Sequence, residues 1–487
     1  MKSGGNHPGL RPTPVLAGLA LFIVLAAPAA AALIHQQIQG PFADLRAVTG
    51  KCLECHRRQA DDMLRSTHWT WERQRVLNGE KVSAGKKDSL AGFAIDVKAN
   101  PERCLRCHIS SNPRMEDPAN PAADLVDCLA CHDTTGLYRH GGEPLEPPPD
   151  LTTLARNVGR PTPRNCTGCH FADCGLSPVD QQGANAARAA DRADVHLRAS
   201  GPAFTCQTCH LAADSHTLVR AKTETDSPDR SAGCTSCHPA APHALEQLNR
   251  HGRTIACQTC HIPTYGRDLP VLISWNWLMT GMTNAGLQLH DQNGFWSAGD
   301  VEPVYLWDDG SDQVYTRGLK IQPRELTILQ GPGRKTDAAK ISPFRVLYGT
   351  QLYDSKYRYL ISPLLRPEGA PFPPGPDWET LARKGMEAMV LPFSGQYGFT
   401  ATAGYRRLDH GVAPAAEALD CLDCHGATGR IRWDMLGFTQ DPMGDSPPVS
   451  GEEQEAAPPE QEQPLPAEPP PALPSAQEPA VPASPVR

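Results

Sequence analysis

The sequence predicts a mainly α and irregular chain with few short strands, whose core is supplied by something other than its own side chains. Three observations carry this. Hydrophobic residues make up 40% of the 487 and aromatic residues 6%, too little for a conventional core of this size. The 48 prolines and 41 glycines break the chain into short segments rather than long regular elements. Most decisively, 16 of the 17 cysteines fall into eight copies of Cys-x-x-Cys-His.

The copies, numbered here as motifs 1 to 8, are Cys52-Cys55-His56, Cys104-Cys107-His108, Cys128-Cys131-His132, Cys166-Cys169-His170, Cys206-Cys209-His210, Cys234-Cys237-His238, Cys257-Cys260-His261 and Cys421-Cys424-His425. This spacing is the attachment signal for c-type haem. Two thiols reach the two vinyl groups of one porphyrin, and the adjacent imidazole becomes an axial ligand of the iron. Zinc sites and disulfide frameworks also use Cys-x-x-Cys, but neither needs a histidine after every second cysteine. Eight covalent haems therefore account for the missing apolar mass, and closely packed haems form the core.

Five regions follow along the chain. Residues 1–32 have the layout of a signal peptide: Lys2 and Arg11, an apolar run over 15–27, then Pro28 and small residues with a cleavage site near Ala32. An uncleaved anchor extending to Ile34 is the rival reading. Either places the haem-bearing part outside the cytoplasm, in the periplasm. Residues 33–263 carry seven motifs, separated by 47, 19, 33, 35, 23 and 18 residues. Spacers this short hold one or two helices each, with helices expected over 191–198 and 244–250. Residues 264–420 hold no motif but most of the tryptophans. Here a helix is expected over 378–389 and short strands over 301–307 and 313–319. The region reads as a cover around the haem array, or alternatively as a platform for substrate or partner. Residues 421–445 bring the eighth motif. Residues 446–487, rich in Pro and Glu, cannot bury enough apolar surface to offset ordering and read as a disordered tail. Residues 451–487 hold seven glutamates and one arginine, so most of the net charge of −8 lies there. No basic patch suggests nucleic acid.

Each haem iron needs a sixth ligand. Two imidazoles keep iron six-coordinate and limit reorganisation on reduction. Beyond the eight motif histidines and His7, the candidates are His35, His68, His140, His196, His216, His243, His251, His290 and His410. Of these His68, His196, His216, His251 and His410 fit best and His290 least. Cys174, the one cysteine outside a motif, has three readings: a thiolate ligand, a sulfur-binding nucleophile, or a buried inert thiol.

Several stretches carry a family resemblance. They include Ser66-Thr67-His68-Trp69-Thr70-Trp71, VDCLACHDTTGLY from Val126, NVGRPTPRNCTGCHF from Asn157, CQTCHIP from Cys257, ISPFRVLYGTQLYDSKYRYL from Ile341 and GMEAMVLPFSGQYGF from Gly385. With the stretch over 410–442, they make the chain resemble the octahaem tetrathionate reductase family of periplasmic cytochromes c, over nearly everything between Gln39 and Pro442. The resemblance implies a helical and irregular fold around a haem chain, seven bis-histidine haems, and one substrate-accessible iron at motif 2. It implies reduction of tetrathionate, nitrite or hydroxylamine. In that family a lysine in a Tyr-Lys-Lys context holds the active iron. Here the matching residues are Tyr138-Arg139-His140, with no lysine between Lys98 and Lys222. Arginine does not deprotonate at usable pH and is a poor iron ligand.

Two function classes stay open. One is a reductase of a small anionic or nitrogenous substrate, with Arg139, His140 and Cys174 as candidate catalytic residues. Its electrons would come from a redox partner such as a quinol-oxidising membrane protein or a small cytochrome. The other is a pure electron carrier in which every iron is closed by two histidines.

Overall fold

The computed structural model describes residues 34–77, 80–90, 95–101, 107–111, 122–141, 147–170, 194–198, 200–210, 216, 233–267, 270–279, 294–311, 313–365 and 376–444. The expected signal segment and tail, and with them Cys104, Cys174 and His290, lie outside the described residues.

The chain is mostly irregular, with ten short helices among the described residues and its strands gathered into one sheet and one hairpin. Helix α1 (Leu45–Leu64) starts where the Asp44 carboxylate accepts the Ala47 N–H at 2.8 Å, a standard cap for an orphan amide. It runs through motif 1 and leaves helical geometry at His56 (φ −115°, ψ 35°). The Thr49 hydroxyl ties it to Val126 O at 2.7 Å, just ahead of motif 3. A one-turn helix, α2 (Thr67–Thr70), and the hairpin β1 (Glu72–Leu77) with β2 (Glu80–Gly85) follow.

Four of the next helices are little more than the motifs themselves: α3 (Cys128–His132), α5 (Pro163–His170), α6 (Cys206–Cys209) and α8 (Cys257–His261). One turn is what the motif needs, because residues three apart share a helix face and so present both thiols together. Asp127 caps α3 through the Ala130 N–H. Between the motifs lie α4 (Leu151–Arg156) and α7 (Glu246–His251); the latter is the helix expected over 244–250. The helix expected over 191–198 does not form in its described part, which is a turn. There the Asp194 carboxylate accepts the His196 N–H at 3.0 Å, a local bond that competes with helix.

The region without motifs folds as a seven-stranded mixed sheet. Its strands are β3 (Val271–Asn276), β4 (Phe295–Ala298), β5 (Val304–Asp308), β6 (Gln313–Val314), β7 (Thr327–Gly331), β8 (Lys340–Asp354) and β9 (Tyr397–Arg407). Their order is β4-β3-β8-β9-β7-β6, with β5 on β8. The strand expected over 301–307 is β5; that over 313–319 shortens to β6. Helix α9 (Trp378–Ala388) is the one expected there. It buries Trp378, Ala382 and Met386 against Trp277 and the sheet, and the Trp277 indole donates to Gln351 Oε1 at 2.9 Å. The final helix, α10 (Cys421–Cys424), carries motif 8 and is capped by Asp420.

Two seams join this sheet to the motif-bearing chain. Ile341 exchanges backbone bonds with Thr254 and Ala256, and the Thr259 hydroxyl inside motif 7 donates to Ile341 O at 2.8 Å. On the other side, the buried Asp96 carboxylate pairs with Arg317 at 2.7 Å, and the Asp96 N–H donates to Ser362 Oγ at 2.7 Å. Among the described residues no helix is long and apolar enough to cross a membrane.

Candidate functional site: the paired histidines

Seven of the eight motif histidines face a second imidazole. The ring centres are 6.1 Å apart for His35–His56, 5.9 Å for His68–His170, 6.1 Å for His132–His216 and 6.2 Å for His196–His238. They are 6.0 Å for His210–His410, 6.0 Å for His243–His261 and 6.2 Å for His251–His425. An iron bonded to two imidazoles at about 2.0–2.1 Å each, with about 1.1 Å more from nitrogen to ring centre, sets the centres about 6.2 Å apart. Among the described residues no three His, Cys, Asp or Glu gather around one point. Two facing nitrogens cannot satisfy a bare metal ion, but they complete an iron that brings four porphyrin nitrogens of its own. The pairs therefore fit haem.

Burial, aided in most pairs by the facing ring or another motif histidine, pushes the imidazoles of His35, His68, His216, His251, His261 and His410 below the usual range. His170, desolvated beside His68 and near the Lys86 charge, falls to about 4. Neutral imidazole is the form that ligates.

The motif cysteines show which sites adjoin. The Cys52 thiol lies beside that of Cys128 and the Cys166 thiol beside that of Cys206, while the Cys107 sulfur is 3.9 Å from Cys169 O. Cys131 lies within electrostatic reach of Cys166 and Cys169, Cys209 of Cys234 and Cys237, His261 of His238, and Cys260 of Cys421 and Cys424. The order of neighbours is motifs 1, 3, 4, 5, 6, 7, 8, with motif 2 beside motif 4 through Cys107 and Cys169 and beside motif 3 through the Asp127 N–H, which donates to Ile109 O at 3.1 Å.

Motif 2 differs. His108 is buried, and its ring meets Trp69 at 5.1 Å and Trp71 at 4.9 Å. Its Nε2 lies 2.6 Å from Trp69 O, and its Nδ1 is buried without a hydrogen-bond partner among the described residues. Trp71 holds a left-handed conformation (φ 52°), a strained geometry for a bulky residue. His140 is close, but to the backbone: its Nε2 is 2.7 Å from His108 O and its Nδ1 2.5 Å from Asp127 Oδ2. The Tyr138 hydroxyl donates to the same Asp127 oxygen. Burial lowers the His140 pKa, but the Asp127 hydrogen bond and charge outweigh it and the net shift is upward. Burial and the Asp127 charge hold the Tyr138 phenol well above its ordinary range. Arg139 is exposed.

Residues 273–428 match the family described as Cytochrome c bacterial, and residues 51–133 match Cytochrome c554 and c-prime. No curated protein matches the chain. Among solved structures, an octaheme cytochrome c from Shewanella oneidensis is 34% identical. The alignment has a TM-score of 0.72 and covers 84% of this chain and 97% of that one. The chain belongs to the octaheme cytochrome c family.

An octaheme cytochrome c carries covalent haem c, and the pairs set all seven of the distal candidates other than His140 and His290 opposite a motif histidine. Sequence reasoning missed the carboxylates behind the rings. Asp127, Asp194 and Asp441 all bond an imidazole Nδ1. Only Asp127 had a visible signal, as the residue capping a motif. Trp69 and Trp71 carry part of the family resemblance, but their contact with His108 is not legible in the sequence.

Proposed function

We propose that this octaheme cytochrome c is an exported, eight-haem protein that reduces a small oxidised sulfur or nitrogen compound at motif 2. The seven histidine pairs would each hold a haem, and these would supply the one-electron couples that feed motif 2. The supporting observation is the asymmetry: seven motif histidines face an imidazole near 6 Å, whereas His108 faces Trp69 and Trp71. When bound, each haem supplies a one-electron couple, and an iron without a sixth protein ligand also offers an open position.

The chain does the rest. The neighbour order supports a line from motif 1 to motif 8, with motif 2 at its side next to motifs 3 and 4. Trp69 and Trp71 shield His108 from water. Asp127 fixes His140 and Tyr138, so two proton-bearing groups stand at one carboxylate beside motif 2. Arg139, exposed in the same segment, offers charge and paired hydrogen bonds to an approaching anion. The resemblance in sequence supports tetrathionate, nitrite or hydroxylamine as substrates.

The test is spectroscopic. Intact mass should give eight haems. Electron paramagnetic resonance of the ferric protein should show one haem that responds to cyanide or nitrite and seven that do not. Eight inert low-spin haems would instead support the carrier with every iron closed. His140→Ala should leave the number of low-spin haems unchanged, because both ring nitrogens are engaged elsewhere. A new high-spin signal in that variant would make His140 the sixth ligand and favour the carrier.

A further inference from the structure

The hydrogen bonds made by Nδ1 of the paired imidazoles are not alike. At motif 3, His132 Nδ1 meets a backbone carbonyl, Gly159 O, at 2.7 Å. His196, facing His238 of motif 6, has its Nδ1 2.9 Å from Asp194 Oδ1. His425 of motif 8 has its Nδ1 2.5 Å from Asp441 Oδ1. Between these two sites in the neighbour order, His243 faces His261 of motif 7 with its Nδ1 buried and without a partner among the described residues.

We propose that Asp194 and Asp441 set the reduction potentials of the haems at motifs 6 and 8, holding both below that of the haem at motif 7. This rests on the reading of the histidine pairs as axial ligands. An imidazole that donates Nδ1–H to a carboxylate becomes a more electron-rich ligand. Reduction adds one electron to ferric iron and makes or breaks no bond, so the ferric form carries one more positive charge. That form gains most from the donor and from the anion behind it, and the potential falls.

Both carboxylates are fixed by backbone amides as well as by the ring. Asp194 accepts the N–H groups of His196, Gly411 and Val412, at 3.0, 2.9 and 3.1 Å. Asp441 accepts those of Gly426 and Met443, at 2.5 and 2.9 Å. Each anion therefore stays in place whichever oxidation state the iron holds. The Asp194 side chain is 8% exposed and that of Asp441 22%. A charge in lower dielectric acts more strongly, so Asp194 has the larger effect. Asp194 also grips the residue next to His410, the imidazole facing motif 5.

The experiment is a redox titration of the fully loaded protein, followed by electron paramagnetic resonance, on Asp194→Asn and Asp441→Asn. In each variant one low-spin component should move to higher potential with altered g values, by more in Asp194→Asn, while haem content and the number of low-spin haems stay constant. Titrations that match the unaltered protein would overturn the proposal. So would a new high-spin signal in either variant, since the carboxylate would then only hold the ring in position. His196→Ala separates the two levels: it should create one high-spin haem. If it does and Asp194→Asn moves no potential, the tuning fails alone; if it does not, the axial pairing fails and takes the tuning with it.

Discussion

Arg407 and Asp308 form the most enclosed ion pair between an arginine and a carboxylate among those described, at 2.6 Å with side chains 6% and 5% exposed. Asp308 also accepts the amides of Gly310 and Gly333, so it pins two loops at the end of β5. Removing the cation from such a pair leaves a buried anion, at a cost of about 3–5 kcal/mol. Arg407→Met should show that loss in urea denaturation followed by circular dichroism. The loss should depend on pH. Burial already holds the Asp308 carboxyl above its ordinary range, with Arg407 pulling it back. Without Arg407 the folded-state value rises further above the unfolded one. The stability tied to the protonated form is then present at acidic pH and lost as pH rises. The penalty should therefore be larger at neutral than at acidic pH, and an equal penalty at both would contradict the assignment. None of this was legible in sequence, because the two partners lie on β5 and β9, brought together only by their shared neighbour β8.

The cysteine motifs were readable, whereas the short helices that carry them were not among the expected elements, although one turn is what two thiols and an imidazole need. Helix α9 was readable from its apolar spacing. The two longest strands, β8 and β9, were not, since both pack on each face and show no clean alternation. Their pairing is held by particular close approaches. A Cβ added at Gly349 of β8 would lie 2.3 Å from the Trp275 ring of β3, where the two strands run parallel with Trp275 opposite Gly349. Gly349→Ala forces that indole aside, and overpacking of this kind costs about 1–3 kcal/mol. Differential scanning calorimetry should give a lower melting temperature, and an unchanged one would mean the indole has room to move. The turn at 194–198 makes the opposite point: Asp194 bonds locally and across the fold at once, and a bond to Gly411 cannot be seen from 217 residues away.

Across the molecule, apolar packing is uneven. The largest buried cluster draws all but three of its buried members from residues 264–420, including Trp275, Trp277, Leu352, Ile361 and Met386. The clusters around the first motifs are small: Val48, Leu129, Leu154 and Ala155 in one, Met63, Ile109 and Val126 in another. With haem attachment blocked, the chain should keep the sheet and lose order over the motif-rich segment. Limited proteolysis with mass spectrometry should then recover a protected fragment within residues 264–420. Uniform digestion, or uniform protection, would refute this division of the core.

On the proposed axial pairing, each haem is also a cross-link, and its loop has a length. His35 and His56 are near neighbours in sequence, as are His243 and His261, but His410 lies 200 residues beyond His210 and His425 lies 174 beyond His251. Closing a longer loop costs more chain entropy, though only logarithmically. The sharper consequence is one of timing. While the chain emerges from its amino end, motif 1 finds its second histidine at once. Motif 5 would wait for nearly the whole polypeptide, and a haem attached there would lack its second imidazole in the interval. The sheet between residues 271 and 407 must be threaded before His410 arrives, so maturation of the haem in the middle of the line is gated by folding of a region that carries no haem.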